Sequence, residues 1–197
     1  SVSLGPFYAS AFGFPPDTLR RVAASYARDA SERVGYLRNA FIPSPPPAPV
    51  GGVLRLGVVS SDLTNHIVGH GVRALLRAMD MRRFSVSAYP LTADDGSAAR
   101  RDIAKLSKMH DVTGWSAEAV ARKINADGLH LLLDLNGHTK GNIMDILALR
   151  PCATQALFHG YAGTSGASFM QHFVTDRIVV PPEHAGHLTE KLLFMLR

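Results

Sequence analysis

Three segments of the 197-residue chain bring together groups able to hold a phosphorylated sugar and move a proton. The first, Ser60-Ser61-Asp62-Leu63-Thr64-Asn65-His66, offers a carboxylate, an imidazole and hydroxyls. The second, Asn136-Gly137-His138-Thr139-Lys140-Gly141, adds an amide, another imidazole and an ammonium. The third, His159-Gly160-Tyr161-Ala162-Gly163-Thr164-Ser165-Gly166, carries three glycines within seven residues, which suits a backbone approached closely by something else. Proton transfer needs a titratable side chain within hydrogen-bond reach of the moving proton. A departing anion needs N–H, O–H or cationic donors aimed at the charge. Together the segments supply both, while each residue also has a plainer role open to it. Asp62 could cap the helix that follows, His66 could sit on that helix's first turn, and Lys140 could be a solvated charge. His130, set in an apolar run, reads as a core histidine with its ring satisfied.

Other spacings lead less far. Gly69-His70-Gly71-Val72-Arg73-Ala74 matches the Gly-x-Gly-x-x-Gly/Ala fingerprint by letter, but lies too far beyond the preceding strand for its tight turn. His66 and His70 have the i, i+4 spacing of zinc ligands without the glutamate or a third ligand, so no metal is expected. Gly163-Thr164-Ser165-Gly166 lacks the glycine spacing of a nucleophile elbow.

The three segments can converge only if they leave strands of one sheet at the same edge. Apolar, β-branched runs predict strands over 53–60, 84–89, 129–135, 154–158, 172–175 and 191–195, with a short one at 112–113. Helical spacing predicts helices over about 71–81, 97–109, 116–126 and 143–149. Ser116 caps the third, and Asp127-Gly128 stops it. Such alternation implies right-handed βαβ units and an α/β fold, a doubly wound, Rossmann-like parallel sheet. Ligands then sit outside the carboxyl ends of the strands, where the three segments lie. Ahead of this unit, residues 17–33 predict a helix capped by Asp17, with Leu19, Val22, Ala23 and Tyr26 at helical spacing. A proline-rich stretch from Pro43 to Pro49 and Gly51-Gly52 follow. The expected organisation is a helical extension and linker over 1–50 and a Rossmann-like lobe over 51–197.

Composition sets outer bounds. A hydrophobic fraction of 46% with 19% charged residues supports a packed core rather than disorder. No apolar run approaches the roughly 20 residues of a spanning helix, and no basic-then-apolar leader opens the chain. Cys152 is the single cysteine, so no intrachain disulfide forms and a reducing compartment, cytoplasmic or nuclear, is expected. The net charge of +5 includes arginine pairs scattered along the chain, with no basic run interleaved with aromatics. That pattern fits solvated faces and a nucleotide diphosphate better than nucleic acid.

The same segments carry a resemblance. The stretch Leu54-Arg55-Leu56-Gly57-Val58-Val59-Ser60-Ser61-Asp62 with Asn65-His66 comes first, then Asp127-Gly128-Leu129-His130 and Asn136 to Gly141. Ala148-Leu149-Arg150-Pro151, Gly160-Tyr161, Gly163 to Gly166, Thr175-Asp176 and Glu190-Lys191-Leu192 complete the series. In this order, from about residue 15 onward, they resemble the protein O-linked N-acetylglucosamine transferases and their spindly-like, O-fucosyl-transferring relatives. The resemblance implies an inverting, metal-independent transfer from UDP-N-acetylglucosamine to serine or threonine hydroxyls of proteins, with GDP-fucose the donor in the spindly-like alternative. The donor is held between two Rossmann-like lobes, of which this is the N-terminal one. By residue match Asp62 and His66 are the catalytic pair, and Asn65 lies near sugar and acceptor. Lys140 lines the cleft, and Gly160, Tyr161, Gly163 and Thr164 approach the donor.

The resemblance also places a C-terminal lobe, with the uridine pocket and a diphosphate-binding lysine, and substrate-recruiting helical repeats outside these residues. The chain is accordingly expected to be incomplete and inactive alone. Departures are visible. Ile67 and Ala162 stand where the family usually has proline, and His159 stands where an aliphatic residue is usual. Phe7-Tyr8-Ala9-Ser10-Ala11-Phe12 occupies the stretch that usually holds a proton-handling histidine. Either Asp62 or His66 takes over that task, or the chain is a non-catalytic, protein-binding relative. A nicotinamide-dependent dehydrogenase would rest on the fold and the misplaced glycine motif alone.

Overall fold

The computed structural model describes residues 4–40 and 52–195. The proline-rich stretch and the boundary expected near residue 50 lie outside the described residues. Seven strands form one parallel sheet: β1 (Leu54–Ser60), β2 (Phe84–Pro90), β3 (Lys108–Met109), β4 (Leu131–Asp134), β5 (Gln155–Phe158), β6 (His172–Thr175) and β7 (Lys191–Phe194). Their order is β3-β2-β1-β4-β5-β6-β7. The sequence runs outward in both directions from the β1–β4 pair, where Val59 stands beside Asp134. This is the topological switch point, and the crevice there opens between the loops that leave β1 and β4.

Strand alternation divides the core in two. Leu56 and Val58 of β1, Val86 of β2 and Leu133 of β4 pack against Val68, Val72 and Leu76 of α3 (Ile67–Ala78) and Ile103 of α4 (Ala98–Leu106). On the opposite face Val59, Leu132 and Leu157 meet α5 (Ala117–Ala126), α6 (Met144–Ala148) and a helix from the expected extension. That helix, α2 (Pro16–Arg33), follows a short α1 (Pro6–Ala9). Its Ala23, Ala27 and Ala30 are buried, their small side chains letting it lie close to the lobe. Arg33 seals its end on Asp145 of α6 at 2.7 Å.

Several boundaries depart from the sequence reading. α3 begins at Ile67 and is capped by His66, whose Nδ1 accepts the Val68 N–H at 3.3 Å, so Asp62 is free of the capping role. The two glycines of the Gly-x-Gly match lie inside this helix as contact points. A Cβ on Gly69 would fall 2.1 Å from the Thr64 carbonyl oxygen, and one on Gly71 would fall 2.4 Å from His159 Nε2. The short strand is Lys108–Met109 rather than 112–113, because α4 ends at Leu106 and Val112 is drawn into the core. Asp17 sits in the first turn of α2, with Pro15 in the cap position. His130 lies at the entry to β4, half-buried, its Nδ1 accepting the Arg55 N–H at 2.9 Å.

Candidate active site at the switch point

A cavity of about 830 Å³ opens at the switch point. Asn136, fully buried at the end of β4, binds the two flanking loops together. Its Oδ1 accepts the Ser61 N–H at 2.9 Å. Its Nδ2 lies 2.7 Å from Ser61 Oγ and 3.3 Å from Asp62 Oδ2. Thr92, arriving after β2, donates its hydroxyl to the Ser61 carbonyl at 2.6 Å. Asp62 is thereby held at the cavity wall, one carboxylate oxygen tethered by the Asn136 side-chain amide and its own N–H on Ser60 Oγ at 3.0 Å.

Beneath this wall lies Asp134, fully buried. Its carboxylate accepts the N–H groups of Asn136 at 2.8 Å and Gly137 at 3.0 Å, which bends the chain sharply after β4. Burial pushes its pKa up from 3.8 to about 6, opposed by those two N–H groups. Gly137 has φ +51°, and a Cβ there would meet the Tyr161 side chain at 2.5 Å. Only glycine permits both the turn and the contact.

The third loop is fixed from below by a buried carboxylate. Glu190, just before β7, accepts the Thr164 hydroxyl and the Ser165 N–H, each at 2.7 Å, and the Ser165 hydroxyl as well. The Ser165 carbonyl lies 2.7 Å from His138 Nε2. His138 lies edge-on to Tyr26 and Tyr161, with ring centroids 6.3 Å and 5.6 Å away. Burial lowers the pKa of His138, which keeps the ring neutral near pH 7, and pushes the Tyr161 phenol up to about 12.

The sequence as a whole matches glycosyl transferase family 41 over residues 3–197. The chain belongs to this family. A probable UDP-N-acetylglucosamine–peptide N-acetylglucosaminyltransferase, SEC, of Arabidopsis thaliana is 32% identical to the family-41 chain over 98% of its length, and the match covers 20% of that relative. A Caenorhabditis elegans UDP-N-acetylglucosamine–peptide N-acetylglucosaminyltransferase is 38% identical over 74% of the chain and 13% of its own length. The family-41 chain thus spans about a fifth or less of these curated relatives. Among solved structures, a Thermobaculum terrenum O-GlcNAc transferase mutant superposes with a TM-score of 0.81 at 24% identity, over 94% of this chain and 35% of that one. That likeness establishes the α/β fold.

Within the family-41 lobe, Asp62, His66, Lys140 and Gly160 line the cavity, together with Ser61, Thr92, His138, Thr139 and the α1 residues Phe7 and Tyr8. Four other predicted residues are not among those lining it. Asn65 turns outward, its Oδ1 on His70 Nε2 at 3.0 Å and its N–H on Asp95. Tyr161 is buried beneath Gly137, Gly163 lies against the Tyr161 phenol, and Thr164 is spent on Glu190. These three shape the wall from behind. Sequence reasoning passed over Asn136 and His138 as site residues although both stood in the second loop. It had no signal for Thr92.

Proposed function

We propose that this lobe forms one wall of the active site of a protein O-glycosyltransferase that moves N-acetylglucosamine from UDP-N-acetylglucosamine to serine or threonine hydroxyls with inversion. The observation that carries the reading is the meeting of Asp62, His66 and Lys140 around one cavity at the switch point. The names of the family relatives, which are peptide N-acetylglucosaminyltransferases, support the same donor and acceptor class.

The geometry divides the roles. The Nδ1 of His66 already accepts the helix N–H of Val68, so the neutral ring carries its hydrogen on Nε2 and serves as a donor. Asp62 is an acceptor-only carboxylate with one oxygen tethered by Asn136, and it takes the proton of the incoming hydroxyl. The hydroxyl oxygen bonds to the anomeric carbon from the face opposite the diphosphate. The bond from that carbon to the diphosphate oxygen breaks, and its electron pair leaves on UDP. The Lys140 ammonium and His66 Nε2–H supply positive charge and a hydrogen bond on this side of the cleft, and the second lobe supplies the rest. The absence of histidine from 7–12 is accommodated because the base is Asp62. The single cysteine, Cys152, supports a reducing compartment, cytoplasm or nucleus, and the proposed transfer is assigned no metal or cofactor.

The test joins this lobe to a family-41 C-terminal lobe and follows sugar transfer to a serine peptide. Asp62→Asn keeps the hydrogen bond to Asn136 within reach but removes the base, and is expected to lower kcat by roughly 10²- to 10⁴-fold. A rate within a few-fold of the parent would move the base elsewhere. Absence of transfer in the parent would favour the protein-binding relative.

A further inference from the structure

The second loop contains a histidine whose chemistry is set by a carboxylate it never touches. We propose that His138 is a substrate-binding residue of the cavity, a neutral hydrogen-bond acceptor for a sugar or acceptor-peptide O–H or N–H, with Ser165 and Glu190 as the positioning residues that make it so. The identity of the ligand rests on the glycosyltransferase reading; the state of the ring does not.

Carbonyl oxygens only accept hydrogen bonds. Facing the Ser165 carbonyl at 2.7 Å, His138 Nε2 therefore carries the hydrogen, and Nδ1 is left with a lone pair. The carbonyl is in turn fixed because Ser165 N–H and Oγ–H both end on Glu190, which also takes the Thr164 hydroxyl and, at 3.2 Å, that of Thr189. The edge-on rings of Tyr26 and Tyr161 hold the imidazole plane. The charged groups around it are Glu190 beyond Ser165, Lys140 two residues on, and Asp62 on the shared cavity wall.

This arrangement fills a gap in the cavity's chemistry. Lys140 and His66 Nε2–H are donors. Asn136, Ser61 and Thr139 are engaged largely with one another. Asp62 accepts, but carries a negative charge that repels an anionic nucleotide-sugar donor. Nδ1 of His138 accepts without that repulsion, which suits a sugar hydroxyl, an acetamido N–H or a serine hydroxyl.

Long-range imidazole ¹⁵N NMR on this chain tests the ring directly. The expected spectrum shows His138 as the Nε2–H tautomer, titrating below ordinary histidine. In Glu190→Gln the Ser165 carbonyl is released, so a tautomer mixture is expected, with a midpoint lower still, because the Ser165 carbonyl and the Glu190 charge both favour the protonated ring against burial. A change of side-chain volume alone would not produce either. Addition of N-acetylglucosamine, or of a serine peptide, is expected to shift the Nδ1 resonance. In the two-lobed transfer assay, His138→Phe is expected to raise KM roughly tenfold or more with a smaller change in kcat, and His138→Gln to recover part of the loss. An Nδ1–H tautomer, an Nδ1 resonance unmoved by either probe, or an unchanged KM in His138→Phe would overturn the proposal and leave the glycosyltransferase reading intact. A shifting Nδ1 in a protein that transfers no sugar would overturn that reading and leave this one.

Discussion

Asp134 shows how a single buried side chain couples the site to the fold. A carboxylate with no solvent exposure is costly, yet its two N–H partners are the ones that turn the chain into the Asn136 loop. With its pKa pushed up to about 6 from 3.8, the folded state keeps a proton between those values that the unfolded chain has lost. Asp134 therefore contributes most to stability below pH 3.8 and loses that contribution as pH rises through about 6. The difference approaches about 3 kcal/mol at pH 7. His138 acts in the opposite sense: its lowered pKa makes the fold lose stability as pH falls below the ordinary histidine value. Comparing the parent with Asp134→Asn cancels the His138 effect. The stability of Asp134→Asn relative to the parent is expected to rise by about 2.4 kcal/mol between pH 4 and pH 7, read from urea unfolding at each pH. A flat difference would mean the carboxylate stays ionised throughout. Gly160 is a residue of another kind, because its lack of a side chain is what the site uses. A Cβ there would fall 1.6 Å from the Leu135 carbonyl oxygen, so the strand-end loops of β4 and β5 can close up only around glycine. Gly160→Ala is expected to cost at least about 3 kcal/mol and lower Tm by roughly 6–12 °C. Gly186→Ala, with nothing within 4 Å, is the calorimetric control and is expected to change little.

At the scale of elements, α3 carries two tasks at one residue. His66 caps the helix through Nδ1 and lines the cavity. The two can be separated: His66→Ala loses both, at about 0.5–2 kcal/mol of stability, whereas His66→Asn restores a cap without an imidazole. Thermal melts are expected to rank the parent and His66→Asn together, with His66→Ala below. Transfer assays are expected to rank both variants below the parent. Retained activity in His66→Asn would leave His66 as a cap alone. The start of α3 was hard to read from sequence for the same reason. Gly69 and Gly71 lower helix propensity and a histidine is an uncommon cap, so periodicity pointed to a helix only from residue 71. β6, by contrast, was legible to the residue at 172–175, where aromatic and β-branched Phe173, Val174 and Thr175 run up to Asp176. β3 was not, because two residues at the end of a basic helix carry no period; their pairing with Ser87 and Ala88 defines them. Phe7 and Tyr8 reach the cavity only because α2 docks through its alanines, a tertiary contact with no local signature.

For the whole molecule, the switch point ties fold to chemistry. Doubly wound order sends β1 and β4 side by side, so the Asp62 and Asn136 loops share one crevice although 74 residues separate them. Loop motifs and alternating elements made that convergence legible; how the wall is braced, by Asn136, Thr92 and Glu190, depended on contacts the sequence does not order. The same geometry predicts how the lobe treats a nucleotide. Of the residues lining the cavity, Lys140 is the lysine that can meet a diphosphate, and it is exposed. Its charge-assisted hydrogen bond contributes about 1.5–3 kcal/mol and one from His66 about 0.5–1.5 kcal/mol, together no more than roughly the 4.1 kcal/mol of a millimolar complex. Under the proposed transferase reading, the uridine and most of the diphosphate find their partners on a facing lobe. Titration calorimetry of UDP into this chain is expected to give a Kd weaker than about 1 mM, and into the two-lobed protein a far tighter one. Micromolar binding by the chain alone would show that the described lobe holds the nucleotide by itself, and the division of labour between two lobes would have to be abandoned.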